Sequence, residues 1–260
     1  MDFWNPTDLC WEYDSQVNNW EQSVYLTLTQ PKSELASTRV NVTHVYVSGG
    51  TPDKGTNTLA VADWIIGTSD VDKYVTPAPS LVNPRRQHCV VRIDDDRFME
   101  VTGLPYTNEV HIHNLRLGST IKVANLPAPN RYASFCGTIR DINSNPTHVV
   151  VAGGSIEPGG STDQVDMFDL STYQWVAPSG GNKGGGPNMP LSPYHGSSMD
   201  YGRTFACIDG INVPEKVYYL HPDNMEWVTS VANLYYDHWQ GVALMVPDEF
   251  LPCTGEVKKK

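Results

Sequence analysis

The chain reads as an all-β protein built from repeats of one four-stranded antiparallel unit. Three observations predict this. "HVYVSGG" at 44–50 and "HVVVAGG" at 148–154 share the pattern H-V-x-V-x-G-G and lie 104 residues apart, twice a period of 52. Three segments align without gaps and each closes on tryptophan: "CWEYDSQVNNW" (10–20), "VDMFDLSTYQW" (165–175) and "VYYLHPDNMEW" (217–227). Helical periodicity is nowhere sustained, while short apolar runs alternate with turn residues throughout.

Taken along the chain, the elements fall into three recurring kinds. Residues 10–20 hold two strands around a polar turn, ending on Trp20. The stretch 24–43 is less clear, because "TRVNV" (38–42) runs almost directly into "HVYV". The next runs are "HVYVSGG", "RFMEVTG" (97–103), "HVVVAGG", "RTFACIDG" (203–210) and "FLPCTG" (250–255), each an apolar strand stopped by glycine. Gly49, Gly50, Gly153 and Gly154 suit a turn where φ is positive, since glycine has no Cβ to clash there. Each Gly-ended run follows a polar or basic entry and a strand: 85–93, 130–139, 194–202 and 236–246. Weaker versions of the tryptophan hairpin lie at 59–75 and 109–123. The Gly/Pro-rich stretch 179–193 is a loop between units. The unit is therefore strand, turn, Gly-ended strand, variable loop, strand, turn, aromatic-bearing strand.

These residues resemble the kelch repeat. Its mark is an apolar strand ending in Gly-Gly, then Tyr or Phe, then Trp some seven residues later. Here the marks are Gly49–Gly50 and Gly153–Gly154, with Tyr13/Trp20 and Phe168/Trp175. The resemblance covers residues 9–255 and implies a β-propeller in which each repeat is one blade. Physical reasoning agrees with it. A four-stranded sheet that is apolar on both faces needs a neighbour on each side, and a ring supplies one. Trp20, Trp175 and Trp227 are then expected to fill the gaps between blades.

Residues 9–22 carry only the second half of a unit and 240–255 only the first half. The expected fold is a single propeller domain over 1–260, with blades at 24–78, 85–125, 130–178 and 194–230. Its fifth, composite blade is closed by pairing of the N- and C-terminal strands. In that composite blade Cys10 and Cys253 could meet as a disulfide, with two buried thiols as the alternative.

Composition narrows the function. The net charge is −11, with 18 Lys+Arg against 29 Asp+Glu, which argues against nucleic acid as partner. No apolar run is long enough for a membrane-spanning helix. No cysteine or histidine spacing fits a zinc site. "RIDDDRF" (92–98) reads as an acidic turn. His111 and His113 read as solvent-facing histidines on one strand face. "SMDYGRTF" (198–205) matches an Asp-box, in which Asp200 would brace a hairpin and Phe205 would pack inside. "SGGNKGGGP" (179–187) lacks the helix and G-K-[ST] of a phosphate loop. The one sequon, Asn41-Val42-Thr43, bears on function only in a secreted chain. No catalytic residue, metal ligand or cofactor is assigned.

The expected role is a non-catalytic scaffold that binds a protein or glycan through loops at 51–58, 104–108, 155–163, 179–193 and 211–215, with Tyr106 and Tyr194 as candidate anchors. The alternatives are a propeller enzyme, galactose-oxidase-like or glycoside-processing, and a module of a larger chain.

Overall fold

The runs of Val, Ile, Tyr and Phe pair with the next such run along the chain, so nearly all of the sheet structure is local and antiparallel. The computed structural model describes residues 6–14, 17, 19–53, 57–67, 72–212 and 215–230. It opens with a hairpin of β1 (Thr7–Asp14) and β2 (Asn19–Lys32). Four four-stranded sheets follow. The first is β3 (Ala36–Arg39), β4 (His44–Ser48), β5 (Ala62–Gly67) and β6 (Lys73–Ala78). The second is β7 (Cys89–Arg92), β8 (Arg97–Val101), β9 (His111–Asn114) and β10 (Ser119–Lys122). In the third, a short β11 (Arg131–Tyr132) precedes β12 (Phe135–Arg140) and β13 (Pro146–Ala152). It pairs with β14 (Ser155–Ile156), and β15 (Val165–Asp169) and β16 (Gln174–Trp175) complete the sheet. The fourth is β17 (Ser197–Tyr201), β18 (Thr204–Ile208), β19 (Val217–Leu220) and β20 (Trp227–Thr229). Among the described residues no helix is long and apolar enough to cross a membrane.

The sheets are arranged as blades. The first strand of each lies against the first strand of the next: β3 on β7, β7 on β12, β12 on β17. These strands are therefore innermost. Apolar side chains fill the gaps between sheets. Met99, Val101 and Ile112 of the second blade meet Val149, Val151 and Phe168 of the third. Phe135 and Val150 of the third meet Phe205 and Leu220 of the fourth. Tyr46 of the first blade meets Phe98 of the second at 4.4 Å between ring centroids.

Several expectations change here. Four complete blades are seen among the described residues, not five. The hairpin β1–β2 is a separate two-stranded sheet whose β2 packs on β5 and β6, and residues 240–255 lie outside the described residues. Residues 24–32 belong to the hairpin rather than to the first blade. Its inner strand is β3, and the tight turn after it is held by Asn41, whose side chain accepts from the Thr43 and His44 backbone N–H groups. The Cys10 thiol is free and Cys253 lies outside the described residues. The disulfide present joins Cys89 of β7 to Cys136 of β12, tying two inner strands together. Its half-cystines are 47 residues apart, close to one repeat, because they occupy neighbouring positions of successive blades.

Tryptophan serves as expected in two blades. Trp175 packs edge-on against Phe168 and donates its indole N–H to the Ala124 carbonyl at 2.9 Å. Trp227 packs on Phe205 and donates to the Pro187 carbonyl at 2.8 Å. Each therefore also pins the linker that lies before its own blade. Trp20 stands 59% exposed.

Candidate functional site: the mouth of the inner ring

One face of the ring is laid out by a repeated backbone pattern. Each second strand ends in two residues of positive φ: Gly49–Gly50 (63° and 95°), Thr102–Gly103 (64° and 112°), Gly153–Gly154 (61° and 107°) and Asp209–Gly210 (54° and 119°). In the first three pairs the second residue donates its N–H to the segment leading into the next blade. Gly50 donates to Arg85, Gly103 to Arg131 and Gly154 to Pro193, at 2.8–2.9 Å. A Cβ on Gly50 would stand 2.4 Å from the Ser33 carbonyl, so only glycine fits.

A second, inner set of bonds runs through the residues that precede each first strand. Glu34, Gln87, Ala133 and His195 all have positive φ. Gln87 donates its N–H to the Glu34 carbonyl, Ala133 to Gln87 and His195 to Ala133, at 2.9–3.1 Å. These four residues form a hydrogen-bonded rim at one end of the inner strands, called the mouth of the inner ring below.

Beneath the rim a buried cation stands two residues before three of the four rim residues: Lys32, Arg85 and Arg131. Lys32 pairs with Asp63 at 2.6 Å, both fully buried, and Arg131 pairs with Asp166. Asp63 and Asp166 hold the same place on the third strand, opposite Val47 and Val151. In the second blade that place is His111, opposite Glu100, so the acid has moved one strand inward. Around Arg85 lie Glu100, His88, His111 and His113, all buried. His113 Nε2 is 3.1 Å from Glu100 Oε1, and its ring stacks on Phe98 at 4.7 Å. Burial works to raise the Glu100 carboxyl, but the His113 contact and the nearby His88 and Arg85 hold it below the ordinary value. Burial lowers His88 to about 3 and lowers His111 as well. The solvent-facing reading of His111 and His113 is therefore corrected. Alternation put them on one face, but that face is turned to the first blade. The fourth blade has Pro193 and Tyr218 at the two positions, with no charge.

Above the rim the side chains are polar and aromatic. Tyr106 meets Tyr132 edge-on at 5.6 Å, Tyr132 meets His195 at 6.0 Å, and His195 meets Tyr194 at 5.2 Å. All four are partly exposed. Arg86 pairs with Glu34 at 2.5 Å beside them. Burial lowers His195, with Glu34 opposing that shift. Burial and the neighbouring Tyr132 and Glu157 raise the Tyr106 hydroxyl. The Gln87 Oε1 and Ser134 Oγ atoms are buried without a hydrogen-bond partner. The two anchors named from sequence, Tyr106 and Tyr194, thus belong to one cluster, joined through Tyr132 and His195. Those two, with Glu34 and Arg86, were missed. The signal lay in aligning "KSEL" (32–35), "RRQH" (85–88), "RYAS" (131–134) and "PYHG" (193–196), where the third residue is always the rim.

The other motifs play local roles. Asp94 caps the β7–β8 turn through the backbone N–H groups of Asp96 and Arg97. Asp95 and Asp96 pair with Arg92 and Arg116. They line an open crevice of about 610 Å³ on the face opposite the mouth. Phe205 is buried as expected, but Asp200 is exposed, and Arg203 clasps its hairpin to Asp223 at 2.6 Å instead. Among the described residues no group of three or more His, Cys, Asp or Glu is placed to hold a metal ion.

Four antiparallel sheets packed around inner strands in this way define a β-propeller. The same arrangement is found among solved structures, of which 208 chains match. One is the structure of YjhT, with a TM-score of 0.68 over 86% of this chain and 76% of that one, at 10% sequence identity. At that identity the likeness speaks for fold alone. No protein-family model and no curated protein matches the chain.

Proposed function

We propose that this chain is a non-catalytic propeller of the kelch type that binds a glycan at the mouth of its inner ring. One observation carries the reading: Tyr106, Tyr132, His195 and Tyr194 converge, partly exposed, beside the Glu34–Arg86 pair on a rim held rigid by backbone hydrogen bonds. Half-exposed aromatic rings offer flat apolar faces, and the polar groups around them offer donors and acceptors to hydroxyls. A rigid rim also lowers the entropy lost when a ligand is held.

The test is a glycan array followed by titration calorimetry. Tyr132→Ala should weaken the best ligand at least about tenfold, a loss of roughly 1.4 kcal/mol, with an unchanged melting temperature. Equal affinity in the variant, or an array with no hit, would overturn the reading. Recovery of a chemically altered sugar from the cell would turn it into an enzyme.

We also propose that the ring has five blades. The fourth blade's face turned away from the third is apolar, with a depression of about 380 Å³ lined by Met199, Tyr201, Ala206, Val217, Tyr219 and Val228. The hairpin β1–β2 offers two strands to a composite blade, and the pattern of 240–255 offers two more. Deleting 240–260 should leave a chain that unfolds several degrees lower. An unchanged melting temperature would count against closure.

A further inference from the structure

Asn41, Val42 and Thr43 lie in the turn between β3 and β4, at the end of the strands opposite the mouth. Every polar contact of the Asn41 side chain falls on its oxygen. Oδ1 accepts from the Thr43 N–H at 3.0 Å, the Thr43 hydroxyl at 3.1 Å and the His44 N–H at 3.0 Å, and it lies 3.2 Å from His44 Nδ1. The amide nitrogen Nδ2 is left for other chemistry. Val42 is 82% exposed, and Arg39 holds the turn from behind through the Asn41 and Val42 carbonyls.

An independent observation concerns the compartment. The Cys89–Cys136 disulfide joins two inner strands. Such bonds form and persist where thiols can pass two electrons and two protons to a disulfide-carrying oxidase. In that setting Asn-Val-Thr is an acceptor for N-linked glycan. We infer that Asn41 is a glycosylation site and that the chain matures in an oxidising secretory compartment. In the transfer, Asn41 Nδ2 bonds to the anomeric carbon of a polyprenyl-diphosphate-linked oligosaccharide. The bond from that carbon to the diphosphate oxygen breaks, the diphosphate leaves with its electron pair, and the amide loses one proton. The glycan projects from the face opposite the mouth and leaves the mouth open. This inference does not rest on what the mouth binds.

The experiment expresses the full chain behind a secretion signal in eukaryotic cells and weighs it before and after peptide-N-glycosidase treatment. The expected result is loss of a glycan mass, with Asp left at 41. Asn41→Asp and Thr43→Ala should both lack the glycan, and Thr43→Ser should keep it. Asn41→Asp retains the oxygen that caps the turn, so a folded, secreted, unglycosylated variant separates loss of the site from misfolding. A non-reducing peptide map should recover Cys89 linked to Cys136. Folded, secreted wild-type protein with unmodified Asn41, or with both cysteines alkylated, would overturn the inference.

Discussion

The displaced acid of the second blade can be tested by moving it back. In the first and third blades the buried cation meets Asp63 or Asp166 on the third strand, opposite a valine on the second. In the second blade Glu100 takes the valine's place and His111 the aspartate's. Glu100→Val alone takes from the fully buried Arg85 the stronger of its two nearby carboxylates, leaving Glu109, and removes the oxygen 3.1 Å from His113. Breaking a buried charge arrangement at one partner costs about 3–5 kcal/mol. His111→Asp alone sets a second carboxylate directly across the strand pair from Glu100, at a buried position where like charges are poorly screened, and should cost about 2–3 kcal/mol. The double variant Glu100→Val/His111→Asp rebuilds the arrangement of the neighbouring blades.

The double variant should therefore lose less than the sum of the two single losses. A coupling free energy of about 2 kcal/mol or more is expected, since the residues touch and share one charge network. Urea unfolding of the four proteins, followed by tryptophan fluorescence, measures it. Additive losses, within about 0.5 kcal/mol, would mean that the two positions do not exchange one role, and the reasoning would fail.

Three further outcomes follow from the structure. Trp175→Ala should cost about 2–3 kcal/mol, less than a wholly buried aromatic because the ring is part-exposed, and Trp175→Phe only about 1 kcal/mol for the lost Ala124 bond; thermal unfolding distinguishes them. His88 and His111 are held below their ordinary values, so the unfolded chain binds protons that the folded one refuses. Stability should fall as pH drops below about 6.5, by roughly 1.4 kcal/mol per pH unit for each such histidine, and replacing His88 with Asn should flatten that slope in urea titrations at stepped pH. Cys89→Ser/Cys136→Ser opens a loop of 47 residues and should cost about 4 kcal/mol, read as a lower urea midpoint.

Strand identity was legible because it is local. Alternation, terminal glycines and spaced tryptophans each report on neighbours a few residues away. The positive-φ turns at Gly49–Gly50 and Gly153–Gly154 could be read that way, whereas the hydrogen bonds by which Trp175 and Trp227 pin the preceding linkers could not. What failed to show was whatever depends on which blade faces which. His111 and His113 share a strand face in any reading, but only packing against Tyr46 and Phe98 decides that the face is buried. The disulfide was missed for a related reason. Cys89 and Cys136 look unrelated until β7 and β12 are seen as adjacent inner strands.

The backbone of the rim bears on the binding site proposed there. Glu34, Gln87, Ala133 and His195 have one backbone conformation and one set of hydrogen bonds, yet four different side chains. The main chain carries the structural work at these positions, which leaves their side chains free to differ from blade to blade. The cations just below behave oppositely. Lys32, Arg85 and Arg131 are buried, and each position keeps its charge even where the acid has shifted. The fourth blade drops the arrangement altogether, with Pro193 and Tyr218, and there the packing of Phe135, Phe205, Tyr218 and Leu220 takes over the seam. A propeller that can replace an ion pair with apolar packing in one blade does not need the pair for its fold. The cation is kept at three of the four positions and its direct ion pair at two, Lys32–Asp63 and Arg131–Asp166, which points to a part in aligning the rim above it.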